Sequence, residues 1–132
     1  MRTSRKRVAT ALFGLTLVAF SLTPIFGWEP PPVRSEAVFM QEAILGSGYI
    51  IPVILIVYLA VGISWLFGRY VALSAVVLFP ISFNILLFHS VLNRAPFGLA
   101  IALCLFAVNL YMLYQCRAAY RPLLESRHAG QR

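Results

Sequence analysis

Four stretches of this sequence contain no Asp, Glu, Lys or Arg: 8–28, 43–68, 70–93 and 95–116, of 21, 26, 24 and 22 residues. A helix advances about 1.5 Å per residue, so roughly 20 residues cross a hydrocarbon core about 30 Å thick. Each stretch is long enough. Backbone polar groups in lipid have no water to bond, and a helix satisfies them within its own segment. The sequence therefore predicts an all-α integral membrane protein of four transmembrane helices, over about 8–28, 49–67, 70–89 and 97–116. Composition agrees: 61% of the residues are hydrophobic and 11% charged, against about 45–50% and about 25% in soluble domains.

The net charge of +7 comes from eleven Lys and Arg against four Glu. Such an excess also suits nucleic acid, so placement has to decide. Arg2, Arg5, Lys6, Arg7, Arg69, Arg117, Arg121, Arg127 and Arg132 fall on one side of the four spans, leaving Arg34 and Arg94 opposite. The positive-inside rule makes the basic side cytoplasmic, with both termini inside. No aromatic-interleaved basic stretch or nucleic-acid motif accompanies these residues, so they read as topology anchors and no nucleic-acid partner is expected. Arg2–Arg7 followed by Val8–Phe20 also resembles a secretory signal, with Ala19-Phe20-Ser21 as a weak cleavage site. The apolar run continues through Leu22, Ile25, Phe26 and Trp28, and an uncleaved first helix is expected.

Punctuation along the chain sets the connections. Pro24 bends or ends helix one, and Glu29–Pro32 forms a Pro-rich exit. Ser35 as N-cap, Glu36 in the first turn and Gly46 as a stop predict a short helix over 35–46 at the outer surface, with Val38, Phe39, Ala43 and Leu45 resting on the bilayer or the bundle. Pro52 falls in the first turn of helix two, where a missing N–H is tolerated. Gly68-Arg69-Tyr70 makes a tight inner turn, and Pro80 near the middle of helix three predicts a kink that frees the Val76 carbonyl. Short connections favour an up-down antiparallel bundle forming a single membrane domain over 1–132. Trp28, Tyr49, Phe88 and Phe97 mark one boundary and Trp65, Tyr70, Tyr111 and Tyr114 the other. Thr10 with Gly14, Ala60 with Ser64 and Gly98 with Ala102 are small-residue pairs suited to close helix contact.

An ionisable group at mid-membrane would mark function, and His89, near the outer end of helix three, is the sole candidate within the spans. It reads either as a neutral imidazole bonded to loop backbone or as part of an outer-face site for a quinone or lipid headgroup with Asn84 and Tyr49. Tyr58, Asn84 and Asn109 are the polar groups expected at depth, as helix–helix contacts or pocket lining. Cys104 and Cys116 lie twelve residues apart, which fits neither a Cys-x-x-Cys pair nor a zinc site, and His128 stands alone in the basic tail. No catalytic or metal signature is present in the sequence.

Residues 48–124 resemble the DoxX-like family of small four-helix bacterial membrane proteins. The resemblance is carried by Gly48-Tyr49-Ile50-Ile51-Pro52, Gly68-Arg69-Tyr70-Val71, Asn84-Ile85-Leu86-Leu87-Phe88-His89, Leu110-Tyr111 and Tyr120-Arg121-Pro122-Leu123-Leu124. It implies a bundle in a bacterial inner membrane and an association with respiratory or redox complexes. The family usually has glutamates in helices two and four and an Asn-Gly-Phe-like stretch late in helix one. Here the corresponding positions are Tyr58, Asn109 and Thr23-Pro24-Ile25, so a proton or quinone role resting on those acids is lost.

The expectation is a non-catalytic accessory subunit packed against other membrane subunits of a respiratory, photosynthetic or other redox complex. A quinone-reactive subunit with a site near His89 is the alternative. A small-molecule transporter is a weaker one, because Pro80 alone interrupts a helix near the midplane.

Overall fold

The computed structural model describes residues 2–27, 29 and 31–124, and every regular element among them is helical. The helices are α1 Arg2–Ser21, α2 Ser35–Gly46, α3 Ile50–Phe67, α4 Val71–Leu87, α5 Pro96–Gln115 and α6 Arg117–Leu124. A 3₁₀ turn, Thr23–Phe26, follows α1, and a π turn, Phe88–Asn93, extends α4. Three segments are long and apolar enough to cross a membrane: Ile50–Phe67, Val71–Asn93 and Pro96–Gln115.

Helix one differs from its expected bounds of 8–28. The backbone is already helical from Arg2, through the basic residues, and α1 ends at Ser21. Pro24 is the physical cause of the early end, because it has no N–H to donate to the Phe20 carbonyl, which the Thr23 hydroxyl bonds instead at 2.7 Å. The chain tightens into the 3₁₀ turn and stops at Gly27, whose φ of 72° suits a residue without Cβ. Trp28 lies outside the described residues.

The remaining punctuation acts locally. The turn after α3 closes on Gly68 with φ 64° and Tyr70 with φ 56°, and the Arg69 N–H bonds the Ser64 carbonyl at 2.9 Å. Where α3 begins, the Ser47 hydroxyl accepts the Ile50 N–H at 3.2 Å. Pro80 sits inside α4, and Val76 shares its exposed face. At the end of α4 the helix widens, the Arg94 N–H reaches back to the His89 carbonyl at 3.0 Å, and Arg94 stops it with φ 46°.

Packing is sequential: α1 lies on α3, α3 on α4 and α4 on α5, while α2 covers the π turn and the start of α3. One core draws on all four long helices, with Leu17 from α1, Tyr58, Val61 and Trp65 from α3, Ala75 and Leu78 from α4, and Met112 from α5. The start of α1, the end of α3, the start of α4 and the end of α5 line a common cavity, so neighbouring helices alternate in direction. The closest approach is Gly14 on Gly62. A Cβ on Gly14 would stand 2.6 Å from the Gly62 carbonyl oxygen, and one on Gly62 would stand 2.7 Å from that of Gly14. Only glycine at both positions lets these backbones meet. Gly14 is one of the small residues read from the sequence, but its partner across the interface is Gly62.

Candidate functional site

Three groups of polar side chains stand out. The first lies deep between α4 and α5. Asn109 is 0% exposed; its Nδ2 donates to the Ala75 carbonyl at 3.0 Å and its Oδ1 accepts the Ser82 hydroxyl at 3.2 Å. A buried carboxamide here satisfies both ends across one helix pair. Nearby, the Trp65 indole N–H donates to the Ser74 hydroxyl at 2.9 Å, joining α3 to α4. Ser74 and Ser82 point inward because they fall on the inner face of α4 with Ala75 and Leu78. Their short side chains fit where the helices are close, a signal legible only once the buried face is known.

The other two residues expected at depth behave differently. Tyr58 is buried, and its ring meets that of Phe20 edge-on at 5.8 Å; its hydroxyl has no hydrogen-bond partner among the described residues. Asn84 is exposed, and its Nδ2 donates to the Pro80 carbonyl at 3.2 Å, within its own helix. That bond gives the Pro80 carbonyl a side-chain donor from one turn beyond the proline and does not reach the Val76 carbonyl.

The second group is the far end of the bundle, where α2, the π turn and the start of α5 converge. Asn93 is buried; its Oδ1 accepts the Arg34 N–H at 3.1 Å and its Nδ2 stands 3.2 Å from His89 Nδ1. An amide N–H can only donate, so Nδ1 is the acceptor and the imidazole proton sits on Nε2. The ring packs on Gly98, where a Cβ would stand 2.5 Å from it, and its edge meets Phe88 at 5.2 Å. His89 is thus a half-buried strut between the π turn and α5. Tyr49 is 65% exposed at the start of α3, and no hydrogen bond or ring contact among the described residues joins it to His89 or Asn84. Nothing in the sequence sets Asn93 apart as a contact residue. The extra residue in the π turn brings it inward.

At this end Glu36 opens α2. Its carboxyl is held below the usual range, first by its own backbone N–H, then by the Ser35 hydroxyl at 3.2 Å and the Arg34 guanidinium at 3.6 Å.

The third group is the basic end. A cavity of about 420 Å³ opens between α1 and the ends of α3 and α5, with Lys6, Arg7 and Thr10 on one side, Trp65 and Met112 below, and Gln115 opposite. Lys6 Nζ donates to Gln115 Oε1 at 2.9 Å, and the Thr10 hydroxyl is held by the Lys6 carbonyl at 2.9 Å. Cys116, also in the lining, is half-buried, and burial pushes its thiol pKa up. No group of three or more His, Cys, Asp or Glu placed to hold a metal occurs among the described residues.

Compared with protein-family models, with curated proteins and with solved structures, the chain has no match.

Proposed function

We propose that this chain is a non-catalytic structural or accessory subunit of a larger bacterial inner-membrane complex, respiratory, photosynthetic or otherwise redox-active. In this reading all four long helices cross the bilayer and both ends lie on the cytoplasmic side. The observation that carries it is how the deep polar groups are used. Asn109 and Trp65, both wholly buried, spend their side-chain hydrogen bonds on neighbouring helices, and Asn109 lies away from the cavity at the basic end. They hold the bundle together.

Outward, the same helices offer long apolar faces, including Ile56, Leu73, Ile101 and Leu103, together with a ring cluster of Phe79, Phe83 and Phe106 at 5.9–6.1 Å. Lipid and partner helices can both cover such faces, and the second is what a subunit built for contact area requires. The family resemblance supplies the bacterial, redox-linked setting.

Purification from native membranes in mild detergent, with mass spectrometry of what remains bound, tests the reading. Stoichiometric membrane subunits are expected; a monodisperse, partner-free protein overturns it. For orientation, a protease-cleavable tag at each end should be cut in inverted vesicles and protected in right-side-out ones.

A further inference from the structure

The cavity at the basic end has a charge imbalance that the fold does not relieve. Lys6 uses one of its three ammonium donors on Gln115, and Arg7 makes no hydrogen bond or ion pair among the described residues. The described carboxylates are Glu29, Glu36 and Glu42, none of which lines this cavity; the last two belong to α2 at the opposite end. Two cations therefore stand at its mouth without a counter-charge among the described residues.

Beneath them the lining changes character. Leu66 and Val71, half-buried, and Phe67, exposed, lie over the buried Trp65 and Met112 and form an apolar floor. The volume of about 420 Å³ lies in the range of small-ligand sites, roughly 300–1,000 Å³. A small inorganic anion would satisfy the rim and leave this floor unused. α1 and α5 meet at the cavity through side chains, Lys6 on Gln115 and the Thr10 hydroxyl on Met112 Sδ at 3.9 Å, and not through the close backbone packing that joins α1 to α3. Its depth along the bundle matches the ligand: the lining spans the last turn of α3 and of α5, where apolar runs give way to Arg69 and Arg117. That is the level of lipid headgroups.

We propose that this cavity binds the phosphate of an anionic phospholipid, with Lys6 and Arg7 on the phosphate oxygens and the glycerol and first chain carbons over Leu66, Phe67 and Val71. The guanidinium fork of Arg7 supplies paired donors matched to phosphate, and Lys6 a mobile point charge. The site does not depend on a partner subunit.

The test uses the full chain carrying Cys104→Ser, so that Cys116 in the lining is its sole thiol, in an uncharged detergent at constant pH. Short-chain phosphatidylglycerol should slow alkylation of Cys116 and raise the melting temperature. Phosphatidylcholine of equal chain length should need at least about tenfold more, since its headgroup cation competes for the same phosphate. Inorganic phosphate at matching concentration should do little. Lys6→Gln should raise the half-protecting phosphatidylglycerol concentration about fivefold, and Lys6→Gln with Arg7→Gln about 25-fold. Arg94→Gln at the far end should change nothing. Both cations are exposed, so these variants keep the fold, which the melting temperature without lipid checks. Equal protection by inorganic phosphate would assign the site to free phosphate and overturn the lipid source. Equal protection by phosphatidylcholine, or wild-type affinity in the doubly substituted chain, would overturn the site. No partner protein enters these measurements, so their failure is distinct from failure of the accessory-subunit reading.

Discussion

Replacing Gly62 with alanine adds one methyl group at the point where α1 and α3 are closest. The new Cβ would stand 2.7 Å from the Gly14 carbonyl oxygen, 2.8 Å from Val18 Cγ2 and 2.9 Å from the Val18 backbone nitrogen. Two of these three atoms are backbone, so no rotamer change relieves the clash and the helices must part. Restoring ordinary contact needs a separation of about 0.7 Å, which forfeits about a quarter to a half of each dispersion contact along the seam. Overpacking of this kind costs about 1–3 kcal/mol, here in the upper half because both sides are rigid. Alanine returns about 1 kcal/mol of helix propensity. The net loss is about 1–2 kcal/mol, or a melting temperature lower by roughly 3–10 °C for a chain of this size. Thermal unfolding in mild detergent, followed by circular dichroism, measures it. Gly14→Ala should cost a similar amount, since its Cβ meets the Gly62 carbonyl at 2.6 Å and the Leu66 nitrogen at 2.8 Å. The double variant should cost clearly less than the sum, because helices already parted accept the second methyl. Gly46→Ala is the control: it has nothing within 4 Å of its Cβ and should be neutral. A Gly62→Ala protein as stable as the parent, or full additivity with Gly14→Ala, would refute the reasoning.

Three further outcomes follow from the hydrogen bonds and the thiol. Asn109→Ala removes two bonds between α4 and α5 and should lower stability by about 1–3 kcal/mol, whereas Asn84→Ala should change it by less than about 0.5 kcal/mol, both read from detergent melting curves. Asn93→Ala frees the Arg34 N–H and should raise hydrogen exchange at the start of α2 while leaving the middle of α5 unchanged. Cys116 reacts through its thiolate, which burial disfavours, so its alkylation should be slower at pH 8 than that of a free cysteine. The rate should still be climbing above pH 9; a plateau below that would contradict the raised pKa.

The long elements were legible because charge and length decide them. α3, α4 and α5 begin and end close to where Tyr49, Gly68-Arg69-Tyr70 and Pro96 place them, and α2 runs over 35–46, although Ser35 is its first helical residue and not the expected N-cap, a place held by Arg34 without a side-chain bond. Helix one was legible in kind and not in bounds: no sequence rule distinguishes a proline that bends a helix from one that ends it, and the apolar run past Pro24 points the wrong way. Polar contacts were hardest. Asn84 and Asn109 are the same residue type on adjacent helices, yet one is exposed and the other fully buried. Rotation about the helix axis separates them. Runs that are apolar all round leave no periodic trace of which face turns inward.

α1 is the helix whose place in the bilayer needs an argument, because charge and length alone do not supply one. Its uncharged part, 8–21, rises about 21 Å, well short of a hydrocarbon core about 30 Å thick. The backbone bonds do not stop there. The Leu22 N–H reaches the Val18 carbonyl at 3.3 Å and the Ile25 N–H the Leu22 carbonyl at 3.0 Å. The turn Thr23–Phe26 adds about 8 Å at its steeper rise of about 2 Å per residue. Carried in line, 8–26 reaches about 30 Å, and Ile25 and Phe26, both exposed, are apolar enough to complete a lipid-facing surface. At the opposite end Lys6 and Arg7 have stems long enough to hold their charges at the headgroups while α1 stays seated on α3. Shortening α1 by one turn would either pull these cations below the headgroups or lift Gly14 off Gly62. The length of α1, the basic rim of the cavity and the glycine crossing are therefore one linked geometry, the one that the proposed four-span arrangement requires.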